Sequence, residues 1–418
     1  MSDTFDQQPQ QNWKKTAGIF IASQALSLFG TSLVQYAISW HIALVTKSGL
    51  DMTLAIICGF LPTFFMSPFG GVWADRYNRK HLIILADGSI AFFTLMLAIL
   101  FMMGHNQIWL LFVALGLRAV GSAVQNPCVG AMLPDIVPPD QLTRVNGING
   151  SVQSMIFLLS PMLSAALLSV APVQAVFFVD VLTAAAAIIV MLFFLQLPNT
   201  KKAPATATPP TGADYFGDLK KGFSYIARNP YLRAFFILMA IFNLMAAPAA
   251  FLTPLQVART FGDDVWRLSA TEISFSIGMM AGGLIIASWG GLSNRVHTMF
   301  GGSLIMSFCT IVLGIPPNFW VYLTMMSLIG LSMPFFNTPA TVLLQEQVEP
   351  EYMGRIFGVL TMVSSVMMPA GMLIFGPLAD IVPIEWLLIL TGVGMLVLSF
   401  ALLKNKALVK AGAKQNPA

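Results

Sequence analysis

Gly70–Lys80 reads GGVWADRYNRK. Before it runs an apolar stretch, TLAIICGFLPTFFMSPFGGVWA (Thr53–Ala74). After it the chain turns apolar again at once, HLIILADGSIAFFTLMLAILFMM (His81–Met103). Between them sit Asp75, Arg76, Arg79 and Lys80, one acid and three strong bases. Each flank has the length a membrane-spanning helix needs, about 20 apolar residues. A turn this short and this charged, between two such flanks, belongs at a water-facing membrane surface. Gly70 and Gly71 are expected to let the helix before the turn approach a neighbour closely.

Composition agrees. Hydrophobic residues make up 56% of the 418, charged residues 10%, and the mean hydropathy is +0.77. A soluble domain carries about 25% charge, so the apolar excess faces lipid. The polar opening and the long first apolar run argue against a cleaved signal peptide. Cys58, Cys128 and Cys309 lie inside apolar runs without CxxC spacing and read as small buried hydrophobes. The four histidines are scattered, so no metal site and no cofactor is expected.

Apolar runs between breaks give twelve candidate spans: Ala17–Val45, Thr53–Ala74, Leu82–Met103, Ile108–Met132, Val145–Val170, Pro172–Gln196, Leu232–Ala258, Ala270–Ser293, Met299–Ile315, Phe319–Leu344, Ile356–Ala379 and Ile384–Leu403. An even number puts both termini on one side. With that side cytoplasmic, the outer loops hold only Lys47, Arg259 and Arg267 of the 22 Lys and Arg, and Arg118 lies inside a span. The other basic residues all fall inside, as the positive-inside rule requires. The net charge of +4 thus reports topology and not nucleic-acid binding.

The chain repeats itself once. QNPCVGAMLPDIVPPDQLTRVNG (Gln125–Gly147) matches NTPATVLLQEQVEPEYMGRIFG (Asn337–Gly358), with Pro127 against Pro339, Arg144 against Arg355 and Gly147 against Gly358. Six spans per half give both copies the same orientation, a parallel repeat about an axis along the membrane normal. The expected organisation is a tail (1–16), a six-helix bundle (17–196), a cytoplasmic linker (197–231), a second bundle (232–403) and a tail (404–418). Within the linker, FGDLKKGFSYIARNPYLR (Phe216–Arg233) reads as a short amphipathic surface helix.

The hinge resembles the signature of the major facilitator superfamily, G-x-L-A-D-R-x-G-R-K. Gly71, Ala74, Asp75, Arg76, Arg79 and Lys80 match; Trp73 and Asn78 replace the usual Leu and Gly. Asn78 is expected to take the left-handed backbone that Gly would supply. The resemblance implies an all-α fold of twelve transmembrane helices in two six-helix bundles. It also implies a conformational latch built of Gly71, Asp75, Arg76, Arg79 and Lys80, with Asp75 facing the start of the eleventh helix. GGLSNR (Gly290–Arg295), the related spot in the second half, lacks the acid. RAVGSAVQNP (Arg118–Pro127), FFVDVLTAAAA (Phe177–Ala187) and VEPEYMGRIFGV (Val348–Val359) further resemble the macrolide-efflux branch, which includes siderophore exporters. That resemblance implies proton-driven export of bulky, mostly apolar molecules across a bacterial inner membrane. One antiporter motif departs: Ser160-Pro161 and Ser164-Ala165 stand where Gly-Pro and Gly-Gly are usual.

Polar residues inside the spans mark candidate cavity walls. At about 100° per residue, Gln24, Ser27, Thr31 and Gln35 share one sector of the first helix. Arg118, Ser122 and Gln125 do so in the fourth, and Asn146, Asn149 and Gln153 in the fifth. The second half offers Asn243, Asn337 and Thr341. Arg118 is the sharpest of all. It lies ten residues into its span, about 15 Å deep at 1.5 Å per residue, where an arginine needs a partner or water. Asp180 and Asp87 are the candidate partners, and either acid is a candidate proton site with Arg118 as its switchable neighbour.

No nucleotide loop, paired-histidine metal site or nucleophile–base cluster is present, so an enzyme is not expected. The reading is a monomeric, proton-coupled exporter of amphipathic small molecules. Alternatives are a same-fold carrier of siderophore, lipid or nutrient, and a non-transporting membrane sensor.

Overall fold

A computed structural model describes residues 13–138, 141–195, 222–315, 318–349 and 352–413. The described chain is helical almost throughout. Its elements are α1 (Trp13–Thr46), α2 (Gly49–Arg76), α3 (Arg79–Met102), α4 (Ile108–Ile136), α5 (Leu142–Val170), α6 (Val173–Phe193), α7 (222–228), α8 (Pro230–Phe251), α9 (Thr253–Thr260), α10 (Val265–Trp289), α11 (Arg295–Leu313), α12 (Phe319–Gln347), α13 (Met353–Leu378), α14 (Ile384–Lys404) and α15 (Lys406–Ala411). Among the described residues, twelve helical segments are long and apolar enough to cross a membrane, α8 and α9 together making one of them, Pro230–Thr260.

Four helix starts are capped by asparagine side chains. Asn78, Asn294, Asn318 and Asn405 each sit extended before a helix, and their side chains accept a backbone N–H of its first turn. Asn78 therefore does not play the left-handed role expected of it. Its φ is −68° and its side chain accepts from His81 N at 3.4 Å. A glycine could not supply that cap, which is why the turn tolerates this exchange.

The chain divides into two compact units, Met1–Ile42 with Leu54–Pro204 and Ala43–Thr53 with Ala205–Ala418. In the first, α3 packs on α4 and on α6. In the second, α11 packs on α12 and on α14. The third, fourth and sixth spans of each unit thus touch in the same pattern, as the sequence repeat predicts. The helices are apolar on their outer faces as well: Leu85 (70% exposed) and Phe92 point outward from α3, while Asp87 and Thr94 are buried. This inversion of the soluble pattern is what a lipid surround demands.

In the second unit the described part of the linker helix, α7, lies on the turn between α12 and α13. Tyr225 stacks on Tyr352 with centroids 4.3 Å apart, and its hydroxyl donates to Glu349 at 3.4 Å.

Of the two hinge glycines, only Gly70 is sterically required. Pro127 in α4 has no N–H, so the Ala123 carbonyl one turn earlier loses its helical donor. Gly70 of α2 packs against that carbonyl. A methyl at Gly70 would run into the Ala123 oxygen and come within 3.0 Å of Val124 Cα, whereas one at Gly71 would meet nothing within 4 Å. Gly70→Ala is expected to cost about 1–3 kcal/mol through overpacking, and Gly71→Ala far less. Thermal unfolding of the two purified variants in detergent checks the contrast; equal melting temperatures would contradict it.

Candidate functional site

The interior of the first unit holds two polar rungs. α3 and α4 run antiparallel, so seven residues along α3 from Asp87 to Thr94 correspond to seven back along α4 from Gln125 to Arg118. At 1.5 Å per residue the rungs stand about 10 Å apart. α1 supplies Ser27 to one rung and Thr31, four residues on, to the other.

At the first rung, the Arg118 guanidinium pairs with Asp180 of α6 and donates to the Thr94 hydroxyl oxygen. Its second amino group donates to the Thr31 carbonyl at 3.4 Å, and Thr94 Oγ1 lies 3.0 Å from Asp180 Oδ2. Arg118 and Asp180 are fully enclosed, 4% and 0% exposed. Gly30 lets α1 close over the pair: a methyl there would come within 3.0 Å of Asp180 Cα.

At the second rung, Asp87 is 1% exposed and faces only neutral donors. Ser27 Oγ donates to its Oδ1 at 2.6 Å and Gln125 Nε2 to the same oxygen at 2.7 Å. Among the described residues its Oδ2 has no hydrogen-bond partner, nor does Asp180 Oδ1. Of the two acids that the sequence offers to Arg118, the structure therefore pairs Asp180 and leaves Asp87 apart.

The remaining expected cavity residues divide. Gln24 is buried, with Nε2 3.5 Å from Met191 Sδ. Ser122, Asn149 and Gln153 are half-buried, and Gln35 and Asn146 are exposed. In the second unit, Asn243 Nδ2 donates to Met239 O at 2.8 Å and Thr341 Oγ1 to Asn337 O at 3.0 Å, each within its own helix. Asn337 is exposed, and its side-chain Nδ2 lies 4.0 Å from Met333 Sδ. Glu272, which its place near a helix end suggests is solvated, is half-buried in α10.

The hinge is tied down by its bases. Arg79 donates to the Ala74 and Ala131 carbonyls at 2.9 and 3.0 Å and pairs with Asp135 near the end of α4. Lys80 Nζ donates to Leu195 O at 2.8 Å and Leu192 O at 3.3 Å, beside the C-terminal end of α6 where a cation is favoured. Arg76 and Gly71 are at the surface, exposed and half-buried. The side chain of Asp75, and with it the expected contact to the eleventh helix, lies outside the described residues.

Asp135, Thr94 and Ser27 complete these constellations, and only Ser27 stood on an expected stripe. The repeat contained the signal for Asp135. Glu346 occupies the matching place in the second half, and it pairs with Arg295 at 3.0 Å.

Among the described residues, twelve apolar helical segments, a buried ion pair and the charged turn between α2 and α3 fit a multi-pass membrane transporter. The chain belongs to the Major Facilitator Superfamily, whose profile matches residues 20–372. Among curated relatives it is 30% identical over 383 residues to Macrolide efflux protein A of Streptococcus pyogenes, covering 91% of this chain and 93% of that protein. It is 26% identical over 360 residues to the enterobactin exporter EntS of Escherichia coli, covering 82% and 80%. The fold is shared with a bacterial homolog of the human lysosomal transporter Spinster, at TM-score 0.70, 15% identity and coverage of 98% and 100%. It is shared as well with the nucleoside transporter NupG, at TM-score 0.68, 16% identity and coverage of 93% and 98%.

The two rungs respond differently to mutation. Breaking a buried pair by removing one partner costs about 3–5 kcal/mol, because a charge is left uncompensated. Arg118→Ala and Asp180→Asn are thus expected to lower the melting temperature sharply. Asp87→Asn keeps an oxygen for Ser27 and removes an uncompensated charge, so it should match or exceed the parent. Thermal unfolding in detergent ranks the three.

Proposed function

We propose that the chain is a proton-coupled exporter of bulky, macrolide-like amphipathic compounds, working by alternating access in a bacterial cytoplasmic membrane with both termini inside. The observation that carries the coupling is the difference between the two buried acids. Protonating Asp180 would strand the Arg118 guanidinium. Protonating Asp87 strands nothing, because its partners are the neutral Ser27 and Gln125, and it removes a net charge from an apolar interior. Asp87 is therefore the proton carrier, and Arg118–Asp180 the fixed pair that positions α3, α4 and α6 around it. A protonated Asp87 becomes a donor, and the Gln125 amide, turned over, can accept from it.

The export reading draws on the relationship to Macrolide efflux protein A along nearly the whole chain, and the orientation on the distribution of Lys and Arg. The side chains of Gln35, Asn146, Asn149 and Gln153 make no hydrogen bond among the described residues. With Gln24, Thr31 and Ser122 they form the proposed polar wall for cargo, while the numerous Met and Phe side chains supply the adaptable apolar one. The charged turn Gly71–Lys80 serves as latch, through Asp75, Arg76, Arg79 and Lys80. Siderophore export is the second reading, favoured by the likeness to EntS.

The test is accumulation of radiolabelled erythromycin and enterobactin in cells with and without the protein, with and without an uncoupler. Erythromycin should accumulate several-fold less in cells carrying the parent chain, and the uncoupler should abolish that difference. Asp87→Asn should abolish it without an uncoupler. Full uncoupler-sensitive export by Asp87→Asn would defeat the proton assignment, and export of enterobactin alone would favour the second reading.

A further inference from the structure

Past the last turn of α14 the chain bends and lays down one more short helix on the second unit. Asn405 is extended, and its side chain accepts from Leu408 N at 3.1 Å, which starts α15. Leu408 is buried and pins α15 to the bundle. Three polar ties fix the far end. Asn294 Nδ2 donates to Val409 O at 2.8 Å, Arg295 N to Gly412 O at 2.8 Å, and Gln347 Nε2 to Ala411 O at 3.0 Å.

On a backbone held this way, Lys406 and Lys410 stand four residues apart on the side of α15 away from Leu408, and both are exposed. Lys404, at the end of α14, is exposed as well. Among the described residues none of the three makes an ion pair or a side-chain hydrogen bond. Glu346, near the end of α12, is already paired with Arg295 at 3.0 Å. The three ammonium groups form a positive patch whose lysines are presented from a rigid support.

Next to the patch the surface is apolar and open. Val397 (63% exposed) and Phe400 (47% exposed) precede Lys404 at helical spacing, so the three share one face of α14. Phe400 meets Phe300 of α11 edge-on, with centroids 5.6 Å apart, so the two rings bridge the helices. Beside Phe300 stands Gly301, where a Cβ would meet nothing within 4 Å. Phe308, two turns on, shares that side of α11 and is 61% exposed. Gly301 is thus a notch in an outward apolar face, walled by rings and lying beside the turn that leads to Lys404.

We propose that this face of the second unit holds an anionic phospholipid, its phosphate on Lys404, Lys406 and Lys410 and one acyl chain in the notch at Gly301. A phosphodiester supplies the charge that the patch lacks, and its tail supplies apolar atoms for the notch, which a soluble anion would leave unfilled. Each lysine at a membrane surface favours an anionic lipid by about fivefold. The site is independent of cargo and coupling.

The test uses the purified full-length chain, delipidated in neutral detergent. Phosphatidylglycerol and phosphatidylcholine with the same acyl chains are titrated in, and bound lipid is counted by native mass spectrometry. The parent should prefer phosphatidylglycerol. Lys404→Gln, Lys406→Gln and Lys410→Gln together should lower that preference by about tenfold or more. Gly301→Leu, which fills the notch, should weaken both lipids several-fold and alike. An unchanged preference in the triple variant overturns the proposal. So does an equal fall in the control Lys14→Gln with Lys15→Gln, whose lysines are exposed at the start of α1, because general surface charge would then explain the effect. Parent-like binding of both lipids by Gly301→Leu overturns the seat of the acyl chain.

Discussion

A guanidinium enclosed in an apolar bundle has to be answered, and the answer fixes the bundle. Arg118 reaches Asp180 on α6, Thr94 on α3 and the Thr31 carbonyl on α1. Four helices therefore meet at one point whose displacement would expose a buried charge. From that point the antiparallel course of α3 and α4 delivers Gln125 to Asp87 without further adjustment. The pair earns little net stability, since desolvation offsets much of the attraction. What it supplies is register: slipping one helix by a turn leaves both charges without partners.

The two halves preserve interactions more faithfully than letters. Arg79 pairs with Asp135 across the ends of α3 and α4, and Arg295 pairs with Glu346 across the ends of α11 and α12. Asn78 and Asn294 cap the same two helix starts. Read as a motif, GGLSNR is a degraded copy of GGVWADRYNRK. Read as contacts, it keeps the cap and the base, and finds its acid on the neighbouring helix.

Much of this was legible in the sequence, because lipid imposes simple rules. Twelve apolar runs, a midpoint break and the anomaly of Arg118 follow from composition and length. The choice between Asp180 and Asp87 was not legible. Counting residues along a helix gives depth, and both acids pass that test, but pairing also needs azimuth, which neighbouring helices set. Thr94 stayed hidden for a related reason: threonine inside a membrane helix usually bonds its own backbone, as Thr94 also does to Ile90. Asn78 was misread because a family glycine suggested a backbone angle, when the local need was a side-chain acceptor.

The missing rung at Pro127 has a mechanical side. Where a proline interrupts α4, the freed Ala123 carbonyl faces a residue of α2 that carries no side chain at all. Two helices meeting at such a point come together without an interlocked side chain between them. The contact is a close approach of backbone to backbone, and α2 is held to α4 on either side of it, by Thr63 donating to the Ala119 carbonyl at 3.2 Å and by Arg79, just past its end, donating to the Ala131 carbonyl at 3.0 Å.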